Sequence, residues 1–174
     1  MLAFLNKGKQ NLLILLVSVL AIFFAGCKVY TFKDISIPAE IKTVKLRLIE
    51  NRARYINPLL APNLTNRLQE KIVGQTKLNR VEGDDADWLI TGTITDYSVT
   101  TSGIANQAAS LNQLNVTVQI KLKDNVNQKE EEYSVNKMFS FAASLSLDQA
   151  EASLNEEIIK GLTDEVFNRL FSNW

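Results

Sequence analysis

Cys27 is the only cysteine in the 174-residue chain, and Phe24-Ala25-Gly26 stand directly before it. Small residues ahead of a lone thiol fit lipoprotein processing better than an ordinary signal peptide with a chance cysteine: the sulfur is diacylated through a thioether and the peptide bond before it is then cut. The new N-terminal cysteine carries the lipid. In an exported chain an unpaired thiol is a liability, because disulfides form and persist there, and acylation removes it. No disulfide is left to brace the fold, so packing must hold it.

Other reactive groupings fail at the level of residue types. The sequence has no histidine, which excludes Ser-His-Asp and Cys-His relays, HExxH zinc sites and any His-bound metal. GxSxG, GxxxxGK[ST] and GxGxxG do not occur. The acidic group Glu82, Asp84, Asp85 and Asp87 lacks the twelve-residue spacing and bidentate Glu of a calcium loop, and reads as a solvated turn. Neither catalysis, a metal nor a cofactor is expected.

The elements that would carry any remaining function begin with the leader. Lys7 and Lys9 precede the apolar run Leu12–Ala25, whose 14 residues fall short of the roughly 20 that a spanning helix needs. Residues 1–26 therefore read as a lipoprotein signal peptide that is removed, 27–41 as a tether and 42–174 as one domain. Removing Lys7 and Lys9 from the 19 basic residues leaves 17 against 19 acidic, a net charge of −2. Such a balance gives no whole-molecule attraction to nucleic acid.

Within the domain, Lys42 to Glu50 alternates with Val44, Leu46 and Leu48 on one face and Lys45 and Arg47 on the other, which predicts a strand. From Pro62, Leu64, Leu68 and Ile72 recur every fourth residue toward Gly74, an amphipathic helix. Trp88 to Thr101 places Trp88, Ile90, Gly92 and Ile94 against Thr91, Thr93, Thr95 and Tyr97. A loop is expected over 102–111, then strands over Leu114–Lys123 and Glu131–Ala142 with a turn at Asp124–Asn127. Asp148 is the expected N-cap of a last helix, with Glu151 completing a capping-box-like start and Leu154, Ile158, Leu162, Val166 and Leu170 along one stripe. The order β-α-β-β-β-α implies an α/β two-layer sandwich: a four-stranded mixed sheet with both helices on one face. Strands one and two, joined through a helix, would run parallel and the rest antiparallel.

The other face of that sheet then carries Lys45, Arg47, Thr91, Thr93 and Thr95, with Thr117, Gln119, Lys121 and Lys123, and Ser134, Asn136 and Ser140. A solvated face is the plain reading. A surface in a wet cavity, or one that binds phosphorylated sugar through Lys and Arg, is the sharper one.

Several phrases in order carry a resemblance. Ile37-Pro38-Ala39-Glu40 with Lys42-Thr43, Glu50-Asn51-Arg52-Ala53, Asn57-Pro58 with Ala61-Pro62-Asn63-Leu64-Thr65, Asp87-Trp88, Thr91-Gly92-Thr93-Ile94-Thr95-Asp96-Tyr97, and the ending Phe167-Asn168 to Asn173-Trp174 are similar to the LptE-like lipopolysaccharide-assembly lipoproteins of Bacteroidetes-type bacteria. The resemblance implies a non-catalytic subunit on the periplasmic side of the outer membrane. It would plug and support a large outer-membrane β-barrel of the LptD type and assist lipopolysaccharide assembly at the cell surface. No local motif carries over the basic residues that enterobacterial members turn toward lipopolysaccharide. The candidate phosphate contacts Arg47 and Lys121 rest on strand parity, with Arg52 and Arg54 behind them.

The competing expectation is a membrane-anchored structural or regulatory lipoprotein acting on peptidoglycan or its synthases. Against it, only about 14 residues separate Cys27 from the first strand, a reach of at most about 50 Å. Lys28 stands where an inner-membrane retention Asp would be, which favours the outer membrane.

Overall fold

The computed structural model describes residues 37–105 and 108–172; Cys27, the leader, most of the tether and the terminal Asn173-Trp174 lie outside them. Six strands form one sheet: β1 (Thr43–Leu46), β2 (Glu50–Asn51), β3 (Asn79–Arg80), β4 (Trp88–Ala105), β5 (Ala108–Asp124) and β6 (Lys129–Ala142). Two helices, α1 (Leu60–Gln75) and α2 (Leu147–Phe171), cover one face. The α/β two-layer class and the mixed sheet stand as expected, with six strands in place of four. The order across the sheet is β3-β1-β4-β5-β6, with β2 also on β4. β1 and β2 run parallel to β4, because a helix lies between them in the chain, while β4, β5 and β6 are antiparallel.

The extra strands come from a break where one was expected. Leu46 pairs with Ile90 and Glu50 with Thr93, so four steps on one chain meet three on the other, and one residue is inserted. The insertion overturns the expected parity. Leu48, expected inside, is 65% exposed, and Ile49 is buried instead at 1%. The Ile49 N–H donates to the Thr65 hydroxyl of α1 at 3.0 Å, a buried acceptor that takes the place of a strand partner. Gly92 gives Ile49 its room, since a Cβ there would stand 2.9 Å from Ile49 Cγ1.

A second insertion lies in β4. Ile94 faces Val118 and Asp96 faces Thr117, so Thr95 is extra. Tyr97, expected on the polar face, is thereby turned into the core at 3% exposure. The expected loop over 102–111 is also corrected: pairing continues through Gly103↔Leu111 and Ala105↔Ala108. Small polar residues carry no alternation, so pattern was silent about a hairpin that backbone hydrogen bonds sustain.

α1 buries Leu60, Leu64, Leu68 and Ile72; α2 buries Ile158, Leu162, Val166 and Leu170, with Ile159, Phe167 and Phe171. At about 1.5–3 kcal/mol for each large apolar side chain, these stripes are what hold the helices to the sheet. The N-cap of α2 is Ser146, which corrects Asp148. Its hydroxyl accepts from Gln149 N and the Gln149 side chain accepts from Ser146 N. Glu151 is used elsewhere, accepting a 2.7 Å bond from the Tyr97 hydroxyl. No described helix is long and apolar enough to cross a membrane.

The open sheet face as candidate functional site

Register sets which residues stand side by side on the uncovered face. Successive rows across β4, β5 and β6 read Leu89–Lys123–Glu130, Thr91–Lys121–Glu132, Thr93–Gln119–Ser134, Asp96–Thr117–Asn136, Ser98–Asn115–Met138 and Thr100–Gln113–Ser140. The bulge at Thr95 keeps this face polar: it brings Asp96, Ser98 and Thr100 into rows that simple alternation would have turned inward. Hydrogen bonds knit the rows. Asn136 Nδ2 donates to Thr117 Oγ1 at 2.9 Å, Asn115 Nδ2 to Thr100 Oγ1 at 3.1 Å, and the Ser98 hydroxyl to Asp96 Oδ2 at 2.9 Å. Neutral hydroxyls and amides thus dominate from Thr93 onward, with Met138 an exposed apolar group among them at 58%.

The opposite end is charged and internally paired. Lys45 Nζ lies 2.7 Å from Asp84 Oδ1 and Arg47 Nη2 2.5 Å from Asp84 Oδ2. Hydrogen bonds from Lys45 and Arg47 hold the Asp84 carboxyl down at about 2. Asp87 accepts the N–H groups of Lys42 and Thr43 at 2.8 and 2.9 Å, and these lower its pKa as well. Asn125 Nδ2 grips the Ala86 carbonyl at 2.7 Å. The acidic turn is therefore a clamp that fastens the start of β4 to β1. Among the described residues no group of three His, Cys, Asp or Glu side chains is placed to hold a metal.

Of the candidate phosphate contacts, Arg47 and Lys121 fall on this charged end. Arg47 N donates to Ile90 O, and Thr91 pairs with Lys121, so the two cations flank Thr91 at about 10 Å, two inter-strand spacings. Lys121 Nζ lies between Glu130 at 3.7 Å and Glu132 at 3.5 Å. Arg52 pairs with Glu50 at 2.6 Å, and exposed Arg54 has no ion-pair partner among the described residues. The fold brings Arg47 and Lys121 together and keeps Arg52 and Arg54 apart, on the segment that follows β2.

Sequence reasoning missed a cluster at the far end. Tyr55 stacks on Tyr97 with ring centroids 5.5 Å apart, and both hydroxyls donate to Glu151. Burial, then the bond to Glu151, raises the Tyr97 pKa well above its ordinary value. The same segment exposes Ile56 at 58% and Leu59 at 64%. Only the bulge at Thr95, invisible to alternation, could have announced Tyr97 as its anchor.

A family model described as lipopolysaccharide-assembly, LptE, matches residues 41–170. The chain belongs to that family. An LptE-family chain is a lipoprotein of lipopolysaccharide assembly, associated with the outer membrane and with the lipopolysaccharide transport machinery, in a family that is not enzymatic. Among solved structures, a Xanthomonas campestris protein is similar in fold at 14% identity, with a TM-score of 0.50 over 79% of this chain and 91% of that one. Lipoprotein B of Nitrosomonas europaea (14% identity, TM-score 0.48, 80% of this chain and 85% of that one) and a minor lipoprotein of Acinetobacter baumannii (14%, 0.48, 74% and 91%) are also similar. None of the curated proteins matches the chain.

Proposed function

We propose that this LptE-family chain plugs and supports a large outer-membrane β-barrel of the LptD type, and so assists lipopolysaccharide assembly at the cell surface. It is held on the periplasmic side of the outer membrane by lipid on Cys27. The observation that carries the reading is the open face. Its rows of Thr, Ser, Asn and Gln, bonded to one another, suit the polar lumen of a large barrel, whereas the outer faces of the two helices interleave neutral residues with charges such as Arg67, Glu70, Glu156 and Lys160. Membership of the lipopolysaccharide-assembly family supports the same reading.

On this reading Arg47 and Lys121 contact lipopolysaccharide phosphates, and Arg52 and Arg54, on the segment after β2, would do so only as separate contacts. A guanidinium can exchange an exposed carboxylate such as Asp84 for a phosphate at little cost, since exposed ion pairs contribute about 0–1 kcal/mol.

The test uses cysteines placed at Thr93 and Gln119, because the single native thiol is consumed by acylation. Maleimide labelling in cells should be strong without the barrel and weak with it. A gentle detergent pulldown through a C-terminal tag should bring down a large barrel in equal amount. Equal labelling in both states, with shielding of the helices instead, would show that the wrong face has been assigned.

A further inference from the structure

β6 is a long edge of the sheet: β5 pairs along it on one side and no described strand lies on the other. An edge of 14 residues offers free backbone N–H and C=O groups to any extended chain, a standing risk of self-association. The first part of β6 is guarded by the exposed charges Lys129, Glu130, Glu131 and Glu132. The second part, from Ser134 to Ala142, has strong strand character, with Val135, Phe139 and Phe141 buried and Met138 exposed.

One charge interrupts that second part. Lys137 pairs with Val116, which is wholly buried, so its side chain starts from the core face between Val135 and Phe139. A lysine cannot leave its ammonium in that environment and must run outward between β6 and α2. Gly161 of α2 opens the exit: a Cβ there would stand 2.8 Å from Lys137 Cε and 3.1 Å from Cδ. Lys137 ends half-buried, with no ion-pair partner among the described residues. Farther along the same seam, the guanidinium of Arg169 stands 5.6 Å from the Tyr133 ring centroid.

We propose that Lys137, threaded past Gly161 to the rim of the sheet, bars a second copy of this chain from adding its own β6 to this edge. Antiparallel pairing of two β6 strands about their shared centre sets each lysine near the other, and closing the seam strips water from both ammonium groups. The device is independent of the barrel reading, since it concerns the edge and not the open face.

The experiment is density-matched sedimentation of the full chain in mild detergent, with K137M, which keeps the stem and drops the charge, and K137R, which keeps both. Wild type and K137R should hold the monomer mass as concentration rises. K137M should shift toward dimer, and its β6 amides should gain protection from hydrogen exchange. K137Q serves as the neutral variant if K137M does not fold. A folded neutral variant that stays monomeric overturns the proposal, and so does a wild type that already pairs through β6.

Discussion

Replacing Thr65 with Val removes one hydroxyl and nearly preserves shape, at the point where the break between β1 and β2 is held. That hydroxyl is buried; it accepts Ile49 N–H at 3.0 Å and donates to the Ala61 carbonyl at 2.7 Å. The Ala61 carbonyl keeps its helical bond from the Thr65 N–H, so its loss is small. Ile49 is different. Its N–H sits in the unpaired stretch, 1% exposed as a residue, and has no other acceptor. An orphaned buried donor costs about 1–3 kcal/mol, so T65V should lose about 2 kcal/mol, or about 6 °C in Tm for a chain of this size. T65S keeps the hydroxyl and loses one methyl, and should lose about 1 kcal/mol or less. Urea unfolding should show the lower midpoint at unchanged slope, and the Ile49 amide should exchange faster in T65V alone. If T65V matches wild type, or T65S proves the weaker of the two, the hydroxyl does not hold the break and the argument for it fails.

Three further outcomes follow from the same structure. S146A should cost about 1 kcal/mol and D148A a few tenths, since only Ser146 caps α2; thermal melts of the two variants decide it. Y97F should cost about 1.5–2 kcal/mol through the lost bond to Glu151. Tyr97 and Tyr133, the latter pushed up to about 12 by burial and Glu131, have folded pKa values above the ordinary 10.0. Their stabilisation is complete below pH 10 and is lost as pH rises through the folded values, so Y97F should flatten the alkaline limb of a stability profile. Asp84 works in the opposite direction. Its carboxyl is lowered from 3.8 to about 2, so its contribution is present above 3.8 and fades toward pH 2, and D84N should remove that acid-limb dependence.

Much of this architecture is legible in the residues because burial has a period. Leu64-Leu68-Ile72 and Ile158-Leu162-Val166-Leu170 announce both helices, and Val116-Val118-Ile120 announces a strand. Alternation fails wherever one residue is inserted, since it records parity and not register. Alternation therefore puts Leu48, inside one insertion, and Tyr97, just beyond the other, on the wrong faces. The cap of α2 lies two residues before the expected Asp148: Ser146 with Gln149 fits the S-x-x-Q capping box, and Glu151 bonds to Tyr97 instead. The hydroxyl-rich rows were legible from Thr93, Thr117 and Ser134. The clamp of Lys45 and Arg47 on Asp84 was not, because 37 residues separate Arg47 from its partner and only the parallel pairing of β1 with β4 brings them together.

The two bulges also determine the dimensions of the face that the proposed plug would present. Without the inserted Thr95, Asp96 and Ser98 would point into the core and the polar rows would stop near Thr93. With it, the rows run from Leu89 to Thr100, ten ladder steps because Thr95 adds none, or about 34 Å at the usual rise per strand residue. The apolar band of an outer-membrane barrel is only about 25 Å tall. A lumen of that height leaves one end of the face outside, and the two ends differ in what burial demands. The rows with Lys121, Lys123, Glu130 and Glu132 lose hydration around several charges if enclosed, whereas the rows from Thr93 to Ser140 consist largely of neutral groups already bonded to one another. On the proposed reading, the neutral end is therefore the one that would enter. Labelling should grade along the face accordingly, with Gln119 shielded by the barrel more than Lys123.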